Sequence, residues 1–138
     1  MNWSLVLTAA ALSSISGQTW AQTLQQQEMC AKQAKKYFDE QIHDGDYQSH
    51  YNTKLGKCLV LIHQSVSPGA GVGVQIIRQL SDAYERHIYA DYLWMSVQGK
   101  KYWEVKPMIC ELTPTLAERR LCESDDEFKA LISPFMTE

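Results

Sequence analysis

The sequence predicts an α+β fold in which an N-terminal helix, a small antiparallel sheet and a short C-terminal helix are held by two disulfide bonds. Three observations predict this class. An apolar leader precedes the first charged residue, Glu28, and helical apolar stripes lie near both ends of the remaining chain. Between the stripes lie short apolar or alternating runs separated by turn residues, which are typical of antiparallel strands.

The first 21 residues have the pattern of a secretion signal. Residues 5–12 form an apolar run that is shorter than the roughly 20 residues needed to span a bilayer. Thr19-Trp20-Ala21 then supplies the small residues that precede a signal-peptidase site, although the leader lacks the usual Lys or Arg. We expect cleavage after Ala21, a single domain over residues 22–138 and a periplasmic or secreted location. The alternative is a membrane-anchored or cytosolic N-terminal helix.

All four cysteines, Cys30, Cys58, Cys110 and Cys122, follow the leader. An even number of cysteines in an exported chain predicts two disulfide bonds. The spacing contains no C-x-x-C pair of the kind that zinc sites use. Three pairings are possible, and we favour Cys30–Cys58 with Cys110–Cys122 because each joins neighbouring predicted elements. A buried pair of free thiols is the alternative.

The N-terminal part of the domain predicts a helix, a loop and a strand. Residues 24–41 carry a helical stripe of apolar side chains, and Thr23 with Gln26 fits a capping box that begins the helix. Residues 44–56 are polar and aromatic, and we interpret them as a loop. Residues 58–62 form a continuous apolar run, typical of a strand covered on both faces. The helical stripe consists of Cys30, Ala34, Tyr37 and Phe38.

The central part predicts strands. Residues 67–73 are a glycine-rich turn whose spacing does not match a phosphate-binding loop, and no cofactor is predicted. Residues 74–95 are compatible with a helix or with two strands, and their β-branched and aromatic content favours strands that turn near residues 85–87. A turn at 98–100 leads into a predicted strand over residues 102–109.

The C-terminal part predicts a hairpin and a helix. The chain turns at residues 112–114 and returns to Cys122, which faces Cys110 across the hairpin. Ser124 and Glu127 form a helix start, which we expect Pro134 to limit to about three turns. The apolar stripe of this helix consists of Phe128, Leu131, Ile132 and Phe135.

Charge and motif content exclude several functions. The net charge is −3 and basic residues adjoin one another only in pairs, such as Lys35-Lys36 and Arg119-Arg120, which is too little clustered positive charge for nucleic-acid binding. No second apolar stretch reaches membrane length, so no span is predicted in the mature chain. The histidines show no H-x-x-x-H or H-x-H spacing, and no metal is predicted.

The aromatic residues indicate a binding module better than any motif indicates an enzyme. Ser49 and His50, with Asp46, could form a hydrolase site, but no G-x-S-x-G elbow is present, and we assign no catalytic residue. Most of the aromatic residues, Trp103 included, are expected to fill the core. We predict a monomer or small oligomer that binds an unknown protein or envelope component, as an inhibitor or accessory; the alternative is a small envelope hydrolase. The candidate binding residues are Tyr47, His50, Tyr51, Trp94 and Trp103.

Three segments of the mature chain carry a resemblance to a known group. They are Ser49-His50-Tyr51-Asn52-x-Lys54-Leu55-x-Lys57-Cys58, Tyr102-Trp103-Glu104-Val105-x-Pro107-x-x-Cys110 and Cys122-x-Ser124-x-x-Glu127-Phe128. These segments resemble a family of small exported proteobacterial proteins with four cysteines and no assigned activity. The resemblance implies a bacterial exported protein and transfers no catalytic residue.

Overall fold

The structure, a computed structural model, describes residues 18–67, 69, 71 and 73–138. Most of the predicted signal peptide, residues 1–17, lies outside the described residues. The described chain forms two α-helices, one short 3-10 helix and a six-stranded sheet. In chain order the elements are α1 (Gln18–Gln41), β1 (Asp46–Asn52), β2 (Lys57–Val66), β3 (Gln75–Asp82), β4 (Ile88–Met95), the 3-10 helix (Tyr102–Glu104), β5 (Ile109–Thr115), β6 (Glu118–Leu121) and α2 (Asp125–Thr137).

The sheet is an antiparallel meander in the order β1-β2-β3-β4-β5-β6, and the predicted α+β class with its two disulfides is confirmed. Helix α1 packs on one face over β1 and β2, and α2 packs on the opposite face over β1, β4 and β5. Because successive strand residues point to opposite faces, β2 contributes side chains to two cores, one on each face of the sheet. Cys58 and Val60 face α1, whereas Leu59 faces the core under α2, as the continuous apolar run predicted.

Helix α1 ends at Gln41 as predicted but begins at Gln18. The predicted capping box at Thr23 therefore does not begin the helix, because no Gly or Pro interrupts the preceding residues. The side-chain amide of Gln26 instead donates a hydrogen bond to the Tyr51 hydroxyl at 3.1 Å. The predicted apolar stripe of Cys30, Ala34, Tyr37 and Phe38 lies in the core between α1 and the sheet.

The predicted loop over residues 44–56 is wrong, since it contains the edge strand β1. Tyr47 pairs with Ile62 of β2 and Ser49 with Val60, so the polar segment acquires its strand structure from a long apolar partner. The turn before β1 requires a glycine: Gly45 has φ = 117°, and a Cβ there would lie 2.4 Å from the main-chain oxygen of His63.

The predicted strands within residues 74–95 are confirmed as β3 and β4. Their turn includes Arg86 with φ = 60°. The carboxylate of Asp82 organises this turn, because its Oδ1 accepts hydrogen bonds from the main-chain N–H groups of Tyr84 at 2.8 Å and Glu85 at 3.0 Å. Asp82 is fully buried, and Lys57 lies 3.5 Å from its other oxygen.

The strand predicted over residues 102–109 is wrong up to Ile109, where β5 begins. Tyr102–Glu104 is a 3-10 helix that stands at the end of the sheet. Pro107 has no N–H to donate to a strand ladder. The main-chain oxygen of Val105 also lies outside the ladder and accepts a hydrogen bond from the indole Nε1 of Trp94 at 2.9 Å.

Both favoured disulfide pairings are confirmed. Cys30–Cys58 joins α1 to β2 with a Cα separation of 5.2 Å, and Cys110–Cys122 joins the two ends of the β5–β6 hairpin with a Cα separation of 5.0 Å. The cysteines of both bonds are buried.

Helix α2 begins as predicted, since the Ser124 hydroxyl accepts a hydrogen bond from the Glu127 N–H at 3.2 Å. Its apolar stripe packs into the core under α2. The helix spans 13 residues, close to the predicted length of about three turns, and continues past Pro134 to Thr137. The side-chain amide of Asn52 donates to the main-chain oxygens of Pro134 at 3.3 Å and Phe135 at 3.0 Å, and thereby attaches this last turn to β1. In the described part of the chain neither helix is long and apolar enough to cross a membrane.

Candidate functional site

The five predicted binding residues do not form one surface. Tyr47 and Tyr51 project to the α1 face of the edge strand β1, whereas His50 projects to the opposite face. Trp94 lies in the core under α2. Trp103 is exposed in the connection between β4 and β5.

The two tyrosines of β1 have structural contacts. The Tyr47 ring stacks on Phe38 of α1, with ring centroids 4.7 Å apart. The main chain of Tyr51 exchanges two hydrogen bonds with the side-chain amide of Gln27, at 3.1 and 3.0 Å. Gln27 thus occupies a position that a neighbouring strand would take on this sheet edge.

Ser49 and His50 do not form a nucleophile–base pair. As neighbours in a strand they point to opposite faces of the sheet. The Nε2 atom of His50 lies 2.9 Å from the main-chain oxygen of Glu138 at the end of α2. The hydrolase alternative therefore has no assembled site at these residues.

An aromatic cleft of about 250 Å³ lies between the 3-10 helix and the start of α2. Contrary to the prediction that it fills the core, Trp103 is 76% exposed at this cleft, because the segment that carries it leaves the sheet. The lining residues are Tyr92, Tyr102, Trp103, Val105, Lys106, Pro107, Glu123, Ser124, Asp125 and Asp126.

Hydrogen bonds and ring contacts fix the inner wall of the aromatic cleft. The hydroxyl groups of Tyr92 and Tyr102 lie 3.0 Å apart, and the Tyr102 ring contacts Trp94 with centroids 4.6 Å apart. Burial, followed by the hydrogen bond with Tyr102, raises the pKa of the Tyr92 hydroxyl well above its usual value. Tyr92 is therefore neutral at physiological pH, and its hydroxyl can both donate and accept.

The outer rim of the aromatic cleft is charged. Lys106 and Glu123 form an ion pair across it at 2.8 Å. The Nζ atom of Lys101 lies 5.1 Å from the centroid of the Trp103 ring, which is within cation–π range. The Lys101 N–H also donates to the Glu104 carboxylate at 2.7 Å, and this bond holds the 3-10 helix that presents Trp103.

A second surface lies on the α1 side of the sheet, over β3, β4 and β5, beside the strands β1 and β2 on which α1 packs. We call this surface the open sheet face. Ile77, Leu93 and Ile109 are directly paired across the three strands and belong to neither core. The parallel row beside them consists of Gln79, Asp91 and Glu111.

The Asp91 carboxylate on the open sheet face is half-buried, and within the described chain no hydrogen bond or ion pair reaches it. Burial raises its pKa, and the negative charge of Glu111 on the adjacent strand raises it further. Glu111 itself accepts a hydrogen bond from the Arg119 Nε at 2.7 Å. No local sequence pattern indicates this surface, because its residues meet only through strand register.

The larger cleft on the α2 face, of about 500 Å³, is a weaker candidate. Its cations are already paired, since Arg78 contacts Asp125 and Lys129 contacts both Asp125 and Asp126. Its apolar walls, Leu61 and Ile132, belong to the core under α2.

No group of three or more metal-ligating side chains occurs among the residues that the structure describes. No protein-family model, no curated protein and no solved structure matches this chain.

Proposed function

We propose that the protein is an exported, non-enzymatic binding module that recognises a protein or envelope component through the aromatic cleft. The observation that carries this proposal is the exposure of Trp103 beside a cleft with a fixed wall. Tryptophan and tyrosine are enriched among the residues that contribute most to binding energy.

The surroundings of Trp103 support recognition rather than accidental exposure. Tyr102 is anchored from behind by Tyr92 and Trp94, so the wall of the cleft is already ordered before binding. An ordered surface loses less conformational entropy on association than a mobile loop does. Hydroxyl groups and charged rim groups next to an exposed ring provide both apolar contact and hydrogen bonds, the usual composition of a ligand site.

Export is supported by two features. The leader has the pattern of a secretion signal, and disulfide bonds such as Cys30–Cys58 and Cys110–Cys122 persist mainly in oxidising compartments.

The test compares Trp103→Ala with Leu116→Ala, which truncates another exposed apolar side chain, at the tip of the β5–β6 hairpin and outside the cleft. The oxidised wild-type protein is crosslinked in envelope extract, the captured partner is purified, and the dissociation constants are measured. We expect Trp103→Ala to weaken binding by about 30-fold, as loss of a residue contributing about 2 kcal/mol would do, and Leu116→Ala to leave it unchanged.

Unaltered affinity of Trp103→Ala would refute recognition by the aromatic cleft. Absence of any partner, together with a hydrolytic activity that His50→Ala abolishes, would favour the hydrolase alternative.

A further inference from the structure

The open sheet face contains an apolar row that neither helix of the described chain covers. Ile77, Leu93 and Ile109 lie side by side on three adjacent strands, and Ile109 is 42% exposed. Neighbouring strands are about 4.8 Å apart, so the row spans about 10 Å between its outer strands. An α-helix with its side chains has a diameter of about 10–12 Å. One helix therefore fits this face, as α1 fits the neighbouring strands β1 and β2.

Next to this row, Asp91 has no counter-charge among the residues that the structure describes. Its carboxylate is half-buried among strand neighbours, and Glu111 on the facing strand has the same sign. Arg119, which lies near the start of β6, is bonded to Glu111. A partly desolvated carboxylate without a partner is unfavourable, whereas the same carboxylate paired with a cation contributes to binding.

We propose that the open sheet face docks an amphipathic segment of a partner protein that places one Lys or Arg against Asp91 and covers Ile77, Leu93 and Ile109 with apolar side chains. The partner segment must carry a positive charge because the Asp91 carboxylate has no cation beside it among the described residues. A second copy of the chain fits less well, since stacking two of these faces about a twofold axis brings Asp91 and Glu111 of both copies to one interface, where like charges repel.

This surface is distinct from the aromatic cleft. The side chains of Tyr92 and Trp94 lie in the core under α2, on the opposite face of the sheet from Leu93. The two surfaces can therefore be tested separately, by substitution of Asp91 and of Trp103.

A displayed library of random peptides, selected on the oxidised wild-type protein, provides the probe. We expect enriched peptides to contain one Lys or Arg among apolar residues. Their affinity should fall about tenfold to hundredfold in Asp91→Asn, as expected for loss of a charge-assisted hydrogen bond. Asp44→Asn makes the same change in net charge at an exposed residue before β1 and should leave affinity unchanged. Leu93→Lys should abolish binding, because the new lysine would occupy the position beside Asp91 that the peptide's Lys or Arg would otherwise take.

Several results would overturn the inference. Selection could give no binder, or peptides without a cation, or peptides insensitive to Asp91→Asn. Peptides that depend on Trp103 and not on Asp91 would support the aromatic cleft and reject the open sheet face. A dimer in sedimentation velocity that Leu93→Lys dissociates would assign the face to a second copy and also reject a cationic partner segment.

Discussion

Removal of the Cys30–Cys58 bond should destabilise the protein more than removal of the Cys110–Cys122 bond. The first bond joins residues 28 positions apart and connects α1 to β2, with all of β1 inside the closed loop. The second joins residues 12 positions apart at the two ends of one hairpin. Because a crosslink restricts the unfolded chain more when it closes a longer loop, the two bonds should differ in their contribution to stability.

Loop-closure entropy gives the magnitude. At 25 °C it assigns about 3.6 kcal/mol to the loop of Cys30–Cys58 and about 2.8 kcal/mol to that of Cys110–Cys122. Local structure should widen this difference. The hairpin ends are also held by the Cys122 N–H, which donates to the Cys110 oxygen at 3.0 Å, whereas α1 is attached to the sheet mainly through side chains. Both bonds together contribute about 6 kcal/mol, comparable with the whole stability of a small domain.

The assay is urea unfolding of two double variants, Cys30→Ala with Cys58→Ala and Cys110→Ala with Cys122→Ala, followed by circular dichroism. Each variant truncates two buried cysteines, so the loss of side-chain packing is similar and the ranking reports the crosslink. With a urea dependence of about 1–3 kcal/mol per molar, the midpoint of the first variant should fall by about 1 M or more. A reversed ranking, or midpoints equal to that of the wild type, would refute this reasoning.

Three further predictions concern the buried Ser81 and Asp82 and the half-buried Asp91, each measured by urea unfolding. Ser81→Ala should be neutral or stabilising by up to about 1 kcal/mol, because the Ser81 hydroxyl is buried without a hydrogen-bond partner among the described residues; a marked loss of stability would contradict this. Asp82→Ala should destabilise by about 1–3 kcal/mol, since it leaves two turn N–H groups without their acceptor, whereas an unchanged midpoint would show that water replaces the carboxylate. Asp91→Asn should stabilise the protein at pH 7 by about 0.2–1 kcal/mol, the range for cross-strand pairs. Burial and the charge of Glu111 raise the folded-state pKa of Asp91, so ionised Asp91 destabilises the wild type. The difference in unfolding free energy between Asp91→Asn and the wild type should therefore grow as the pH rises through the unfolded-state and then the folded-state pKa. It should vanish in acid, where the carboxyl is protonated in both states. A pH-independent difference would contradict this origin.

The elements that were predicted correctly owe their structure to local signals. Ser124 and Glu127 begin α2 through contacts within one turn of helix, so the four residues 124–127 are sufficient to predict where this helix begins. The two disulfide pairings followed from the expectation that cysteines in neighbouring elements meet. The strands β3 and β4 followed from β-branched and aromatic content.

The elements that were predicted wrongly depend on distant partners. The polar segment of Asp46–Asn52 is a strand because β2 offers an apolar partner in register. Alternation over residues 102–109 predicted a strand, but Trp94 and Tyr92 bind that segment from the core and hold it away from the ladder. Helix α2 continues beyond Pro134, and Asn52 of β1 donates to the main-chain oxygens of Pro134 and Phe135 in its last turn.

The same division applies to the candidate sites. The amino-acid sequence by itself predicted the class of the fold and both helical stripes, and it favoured the observed crosslinks among three possible pairings, because these features depend on periodicity, capping and cysteines in neighbouring elements. Only the tertiary structure decided that Trp103 is exposed, that Tyr47 and His50 face opposite sides, and that Asp91 lies unpaired beside an apolar row. Exposure and cross-strand neighbours are set by register and by which strands α1 covers, and these contacts join residues far apart in the chain.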